Sequence, residues 1–254
     1  MTVVPLALLL APAGRARAAA ESRKAEYTVD VGILYDALAF HVAGTIVETV
    51  DRTAGRYEVK VAGEGAGIGQ HIEAAGERRG GRWAPGQTTS YFQVKGRESR
   101  SDIRYDQARR LVEYHFRGET FLLRRLRVAD DLVSIPEGLH VDDVFSATLN
   151  YAEAIWPAQA DGTYRTTVVH RRRKEDEGPD DVQTHYGAEL APFAFRVVPE
   201  PESLKATALI DLTRFSSWAS KGRPARIVFG PDRRPETITS SLMLGISLAI
   251  RIQA

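Results

Sequence analysis

The stretches YEVKV (residues 57–61) and VEYHF (residues 112–116) decide the fold class of this chain. In both, apolar side chains alternate with polar ones, which is the period of a β-strand that buries one face. The stretches DIRY (residues 102–105) and ARIVF (residues 225–229) repeat this alternation. We therefore predict a mainly β protein with a single antiparallel curved sheet, a half-barrel or barrel of about 10–12 strands.

Turn-forming residues separate these stretches at short, regular intervals. They occur at Asp51–Gly55, Gly80–Gly81, Asp106–Arg109, Asp161–Gly162 and Gly230–Asp232. No internal repeat and no Pro/Ser-rich linker divides the chain, so residues 21–254 are predicted to form a single β domain.

One segment, residues 140–156, departs from the strand pattern and predicts a single central helix. Its apolar side chains fall on one helical stripe, Asp142 or Asp143 stands where an N-cap is expected, and Pro157 follows. We expect this helix to pack across the sheet or to plug its mouth.

Two other segments receive simpler interpretations. The apolar run Ser240–Ile252 is predicted to be a final buried strand, a membrane-proximal element being the alternative. The charge-dense run Arg171–Asp181 is predicted to be a solvated hairpin tip, because its opposite charges largely cancel.

Residues 1–20, MTVVPLALLLAPAGRARAAA, resemble a targeting segment. The apolar run is shorter than the ~20 residues that cross a bilayer, and it ends in small residues with A-x-A cleavage patterns. No Lys or Arg precedes the run, which is atypical. We interpret residues 1–20 as a signal peptide, with a short anchor as the alternative, and predict export to the periplasm of a Gram-negative bacterium.

Composition excludes several classes of protein. The chain has no cysteine, so disulfides, thiol nucleophiles and Cys-ligated metals are excluded. With 34 Lys+Arg against 33 Asp+Glu, the formal charge is +1, which gives no electrostatic footprint for nucleic acid. We therefore predict no nucleic-acid partner.

Recognised cofactor and catalytic motifs do not occur. The glycines at positions 63, 65, 67 and 69 invite a dinucleotide-loop interpretation, but Ile68 and Gln70 stand where the third glycine of that fingerprint is required. A flexible loop or a bulge explains the cluster better. No G-x-S-x-G, no Gly-Lys-Ser/Thr and no helical pair of histidines is present. We predict no cofactor, no metal site and no catalytic residue.

Acidic doublets are the remaining chemical candidates. Asp130–Asp131 and Asp142–Asp143 are of the residue type that glycosidases use, although spacing alone does not identify such a pair. His140 lies near the second doublet, where a metal or acid–base site is one interpretation and helix capping is the simpler one.

Aromatic residues suggest a ligand cavity. They are spread along the chain but fall at strand ends or on the predicted helix, so they form either the core or the lining of a cavity between the sheet and the helix. As lining residues of such a cavity we select Phe145, Leu149, Trp156 and Trp218.

Four segments are similar to an exported bacterial family, the domain of unknown function numbered 3108. They are residues 25–68 (AEYTVDVGILYDALAFHVAGTIVETVDRTAGRYEVKVAGEGAGI), 80–92 (GGRWAPGQTTSYF), 142–156 (DDVFSATLNYAEAIW) and 218–229 (WASKGRPARIVF). The resemblance implies a Gram-negative periplasmic or envelope β protein with an open-barrel shape like that of lipoprotein carriers. It implies no catalytic residue.

The expected function is therefore binding without chemistry. We predict a periplasmic, non-enzymatic binding protein for a hydrophobic or amphipathic cell-envelope component, either a lipid or an envelope protein, peripheral to the membrane at most. The first alternative is an envelope scaffold that acts through exposed sheet edges. The second is a hydrolase of glycans or lipids with dispersed carboxylates. The oligomeric state is left open.

Overall fold

The computed structural model describes residues 20–33, 38–120, 122–174, 177–199, 205–216 and 218–254. Apart from Ala20, the predicted signal peptide lies outside the described residues. Within these ranges, no helix has the length and apolar character needed to cross a membrane.

The described chain contains fifteen strands and one α-helix. In the first half the strands are β1 (Glu21–Ile33), β2 (Leu38–Asp51), β3 (Arg56–Gly65), β4 (Ile68–Arg79), β5 (Arg82–Val94), β6 (Arg97–Asp106), β7 (Leu111–Glu119) and β8 (Leu126–Ser134). After them come β9 (Val141–Asp142), the helix α1 (Val144–Ala152), β10 (Thr163–Arg171), β11 (Ala188–Pro199), β12 (Ala206–Ile210), β13 (Ala225–Phe229), β14 (Pro235–Ser241) and β15 (Ser247–Gln253).

All fifteen strands of the described chain belong to one sheet, whose order is β8-β7-β6-β5-β4-β3-β2-β1-β15-β14-β13-β12-β11-β10-β9. Two antiparallel meanders, β1–β8 and β10–β15, are joined where β1 pairs with β15. The short β9 adds to β10 in parallel. The predicted fold class, a single curved antiparallel sheet with one central helix, is confirmed, with more strands than the 10–12 expected.

The free edge of β8 is brought against the chain that leads into β11. Ala129 forms an isolated bridge with Tyr186, and the Asp131 Oδ2 atom accepts a hydrogen bond from the Ala188 N–H at 2.8 Å. The first and last strands in the sheet order, β8 and β9, are not paired with each other, so the sheet is not a closed barrel. It curls until the β8 edge contacts the chain at Tyr186 and Ala188, which gives a barrel-like form.

The strand alternation read from the sequence places side chains as predicted. Tyr57, Val59 and Val61 of β3 are buried, whereas Glu58 and Lys60 between them are exposed. The buried set packs beneath Trp83 and Leu149, so the first meander builds its core directly against α1.

Gly44 and Gly63 leave room for the Tyr27 ring to pack on the sheet. The Tyr27 ring lies across two neighbouring strands, and a Cβ at Gly44 would stand 2.6 Å from its Cε1 atom. A Cβ at Gly63 would stand 2.9 Å from its Cζ atom. The interpretation of the glycine cluster as a loop or bulge was therefore wrong for Gly63, which lies inside β3, and right for Gly67, which has φ 73° in the β3–β4 turn.

Helix α1 is shorter than the predicted segment and is capped as expected. The Asp143 side chain accepts hydrogen bonds from the N–H groups of Phe145 and Ser146, and the Ser146 hydroxyl accepts one from the Asp143 N–H. This reciprocal arrangement is a capping box, which fixes where the helix begins.

Two segment predictions were wrong in detail. The run Ser240–Ile252 is not one strand, because β14 ends at Ser241 and a 3-10 turn, Met243–Gly245, precedes β15. The charged run after β10 is not simply solvated. Glu177 is buried, and its carboxylate pairs with Arg171 at 2.5 Å and with Arg127 at 3.7 Å, so the run is held against β8.

Candidate ligand-binding cavity

An apolar cavity of about 420 Å³ lies between α1 and the concave face of the sheet. Its wall is formed by β6, α1, the β10–β13 strands and the loop after β12. The aromatic side chains in this wall are Tyr105, Tyr151, Trp156, Phe193, Phe195, Phe215 and Phe229.

The aromatic wall is held by edge-to-face ring packing. Tyr151 stands perpendicular to Phe195 with ring centroids 5.4 Å apart, and Trp156 packs on Phe195 at 5.2 Å. The Trp156 Nε1–H donates to the Arg165 carbonyl oxygen at 2.9 Å, which satisfies its one polar atom. Because these rings are fixed by each other and by β10, the wall is preformed.

One end of the cavity is polar, and its central group is the fully buried carboxylate of Asp142. The Oδ1 atom accepts from Ser146 Oγ at 2.8 Å and from Asn150 Nδ2 at 3.0 Å, and His140 Nε2 lies 3.0 Å away. The Oδ2 atom accepts from Thr166 Oγ1 at 2.5 Å and from an Arg82 nitrogen at 3.2 Å.

This arrangement satisfies Asp142 completely. A carboxylate has about four lone-pair sites, and five donors converge on this one. Buried charges persist in proteins when they are paired and hydrogen-bonded in this way. Asp142 therefore ties β5, β9, β10 and α1 together at the cavity end.

Asp143 forms the second polar group at this end. Besides capping the helix, its Oδ2 atom accepts from Thr88 Oγ1 of β5 at 2.5 Å. Burial raises the pKa of the Asp143 carboxyl, and the hydrogen bonds from Ser146 and Thr88 oppose that rise. The cavity therefore has a carboxyl group at its polar end that is held by neutral donors only.

Helical geometry explains which predicted lining residues reach the cavity. Trp156 lines it, as selected from the sequence. Phe145 and Leu149 point to the other side of α1, into the core cluster of Tyr57 and Trp83. The cavity instead receives Val144, Ala147, Thr148 and Tyr151 from the helix, which are spaced as one face of an α-helix.

Trp218 does not line the cavity either. It lies in the loop between β12 and β13, where its carbonyl oxygen accepts from the Met243 N–H at 2.8 Å. The lining residues that were not selected from the sequence are spread over several strands, α1 and the loop after β12. Among them, the alternating Phe193 and Phe195 of β11 were a readable signal of a strand with one apolar face.

The acidic cluster does not form a catalytic relay. Ser146 and His140 each contact Asp142, but no hydrogen bond joins Ser146 to His140, so these side chains do not form a Ser–His pair. No group of three or more His, Asp or Glu side chains in the described ranges is arranged to hold a metal ion. The cluster is best explained as the anchor of α1.

The fold and the cavity define a β-barrel-like protein with an apolar interior site. No family model and no curated protein matches the chain. Among solved structures it is similar to a beta-barrel-like protein of domain of unknown function DUF1849 from Brucella abortus. The identity is 10%, the match covers 91% of this chain and 97% of that chain, and the TM-score is 0.39.

Proposed function

We propose that this protein is a non-enzymatic binding protein of the bacterial periplasm, and that its ligand is a hydrophobic or amphipathic component of the cell envelope. The observation that carries the proposal is the apolar cavity of about 420 Å³ beneath α1. Small-molecule sites span roughly 300–1,000 Å³ and combine apolar walls with a few placed polar groups. This cavity has both features.

The driving force for binding is the burial of apolar ligand surface, at about 25 cal/mol per Å². The aromatic rings of the wall are already packed on each other, so little side-chain entropy is lost when a ligand enters. The polar end with Asp143 and Thr88 supplies the few directional contacts that such sites use for orientation.

The periplasmic location rests on the sequence of residues 1–20 and on the resemblance to the exported family numbered 3108. It is tested by fractionating cells that express the full chain. Protein released with the periplasmic contents and shortened by the predicted segment supports export. Full-length protein that stays in the cytoplasm contradicts it.

The two alternatives have less support. A scaffold that works through bare sheet edges needs an uncovered edge, but β8 is contacted by Tyr186 and Ala188, and Arg127 donates to the carbonyl oxygens of Gly178 and Pro179. A hydrolase needs a carboxylate that is free to act, whereas Asp142 is occupied by its five donors.

The binding proposal is tested with neutral apolar probes. The dye phenylnaphthylamine is titrated into the purified protein, and dodecanol is then added as a competitor. We expect a saturable rise in dye fluorescence that dodecanol reverses. Absence of any saturable signal, together with an unchanged melting temperature at high dodecanol, contradicts the proposal.

A matched pair of variants locates the site. Val144 lines the cavity yet is 66% exposed, so the substitution Val144→Trp has room to fold and places an indole at the opening. Val182 is 40% exposed and does not line the cavity, which makes Val182→Trp the control. We expect weaker dye binding for V144W and unchanged binding for V182W. Equal binding by both variants contradicts the assignment of the site.

A further inference from the structure

A second, basic pocket adjoins the apolar cavity. It has a volume of about 440 Å³, and its cationic lining residues are Arg173, Lys174, Arg214 and Lys221. His170, Glu189 and Thr213 complete the lining. We call this set of residues the basic pocket.

The two sites share one face of the β10–β11 pair. Along this face the paired residues are Tyr164 with Phe195, Thr166 with Phe193, Val168 with Ala191, and His170 with Glu189. Phe195, Phe193 and Val168 line the apolar cavity, whereas His170 and Glu189 line the basic pocket. At about 3.3 Å per residue, the step from Thr166 to His170 is about 13 Å.

The loop after β12 joins the sites a second time. Leu212 and Phe215 line the apolar cavity, while Thr213 and Arg214 between them line the basic pocket. The Phe215 ring packs on Phe193 with centroids 5.9 Å apart and on the His170 ring at 5.1 Å. An elongated ligand in the cavity that extends past Phe215 therefore reaches the basic pocket.

The charge of the basic pocket is not balanced by its own carboxylate. Glu189 is already shared between Arg172 at 3.3 Å and Arg214 at 3.4 Å. Lys174 and Lys221 form no ion pair with any residue that the structure describes. The Arg173 guanidinium donates to the carbonyl oxygens of Thr213 and Glu177 rather than to a carboxylate.

The other polar groups nearby do not offset this charge. Burial lowers the pKa of His170, so its imidazole is neutral at pH 7 and adds no cation. The Asp142 carboxylate lies at the polar end of the apolar cavity, where it is paired with Arg82. Among the residues that the structure describes, the lining of the basic pocket therefore carries more positive than negative charge, and it lies beside an apolar interior.

From this juxtaposition we infer that the ligand is an anionic amphiphile, whose hydrocarbon chain occupies the apolar cavity and whose carboxylate or phosphate head lies in the basic pocket. The inference rests on the proposed binding function and adds the charge of the head group. The modest volume of the apolar cavity favours a single hydrocarbon chain over a multi-chain lipid.

The test compares ligands with the same chain and different heads. Dodecanoate, dodecyl phosphate, dodecanol and dodecyltrimethylammonium are each used to displace phenylnaphthylamine from the full protein, below their micelle concentrations. We expect the two anions to bind about tenfold more tightly than dodecanol and the cation to bind more weakly. We also expect the advantage of the anions to shrink as salt is raised, since these charges are partly exposed.

Variants assign the head-group contact. Lys174→Gln combined with Lys221→Gln is expected to weaken dodecanoate binding by about three- to tenfold and to leave dodecanol binding unchanged. The control is Lys24→Gln combined with Lys95→Gln, which removes the same total charge from exposed positions outside both pockets. The control is expected to leave both affinities unchanged.

Three outcomes overturn the inference in distinguishable ways. If dodecanol and dodecanoate bind equally well to every variant, the binding function stands and the anionic head is wrong. If inorganic phosphate alone binds and lysine substitution changes only that binding, the basic pocket is an independent anion site. If no ligand displaces the dye and no dye binds, the proposed function itself fails.

Discussion

The main chain of Trp83 and the side chain of Asn150 exchange two hydrogen bonds. The Trp83 N–H donates to Asn150 Oδ1 at 2.8 Å, and Asn150 Nδ2 donates to the Trp83 carbonyl oxygen at 2.9 Å. The amide of a helical residue thus pairs with β5 as a neighbouring strand would. Asn150 is fully buried, so this contact fixes the position of α1 on the sheet, and with it one wall of the cavity.

The first prediction follows from this exchange. Asn150→Ala leaves a buried N–H and a buried carbonyl of Trp83 without partners, and each unsatisfied group costs about 1–3 kcal/mol. We expect the free energy of unfolding in urea to fall by at least about 2 kcal/mol. Gln253→Ala, which removes an exposed amide, is the control and is expected to stay within about 0.5 kcal/mol. A wild-type midpoint for N150A would contradict this role.

The second prediction concerns the carboxylate of Asp142. Asp142→Asn keeps the shape but removes the charge that pairs with Arg82. It also replaces one acceptor oxygen by an NH2 group, which faces donors such as Thr166 Oγ1. Breaking a buried ion pair on one side costs about 3–5 kcal/mol. Asp130→Asn disrupts the exposed contact with His115 and is expected to change stability by less than about 1 kcal/mol. Comparable losses in the two variants would show that Asp142 is not an anchor.

The third prediction is a pH dependence of stability that comes from Asp143. Burial raises the pKa of this carboxyl above its ordinary 3.8, so the folded protein holds the proton more tightly than the unfolded chain. Its contribution to stability is full below pH 3.8 and is lost as pH rises through the folded-state pKa. The unfolding free energy of the wild type minus that of Asp143→Asn is therefore expected to fall as the pH is raised above about 4.

A second aspartate supplies a control of opposite sign. A hydrogen bond from the Thr163 N–H lowers the pKa of Asp161. Its contribution is present above pH 3.8 and is lost as pH falls through the folded-state pKa. Parallel pH profiles for D143N and D161N would contradict the assignment of the raised pKa to Asp143.

The fourth prediction tests the packing of Tyr27 on glycine. At Gly44 an added Cβ would stand 2.6 Å from both the Gly63 Cα atom and the Tyr27 ring, so Gly44→Ala forces ring and strands apart. Overpacking of this kind costs about 1–3 kcal/mol. Gly69→Ala is the matched control, because its Cβ would meet only Gln93 Oε1 at 3.9 Å. A tolerant G44A would mean that the ring does not depend on this glycine.

The sequence was sufficient to predict the fold class because the strand alternation is local. The alternating positions of Tyr57, Val59 and Val61 indicate which face of the strand is buried, whatever strand lies beside it. The start of the helix was likewise predicted to within one residue, since Asp142 or Asp143 was expected as the N-cap and Asp143 occupies that position. What the sequence did not specify was how the helix faces the sheet.

The cavity was harder to predict because α1 is buried on two sides. Leu149 packs towards β3 and β5, whereas Tyr151 packs towards β11 and β13, so both sides of the helix carry large buried side chains. A helix with two apolar faces does not reveal which one adjoins empty space. The choice depends on contacts such as Asn150 with Trp83, which join residues far apart in the sequence.

The pairing of β1 with β15 sets an order on how this protein acquires its structure. Tyr27 lies opposite Ile252 in that ladder, so the seam between the two meanders joins the first and last strands of the described chain. Each meander can form from local hairpins, but β1 cannot pair with β15 until β15 has been synthesised. Such long-range closure slows folding, and in the interval the seam edges of both meanders are unpaired. The assembling chain is therefore expected to be most prone to aggregation just before its final strand docks.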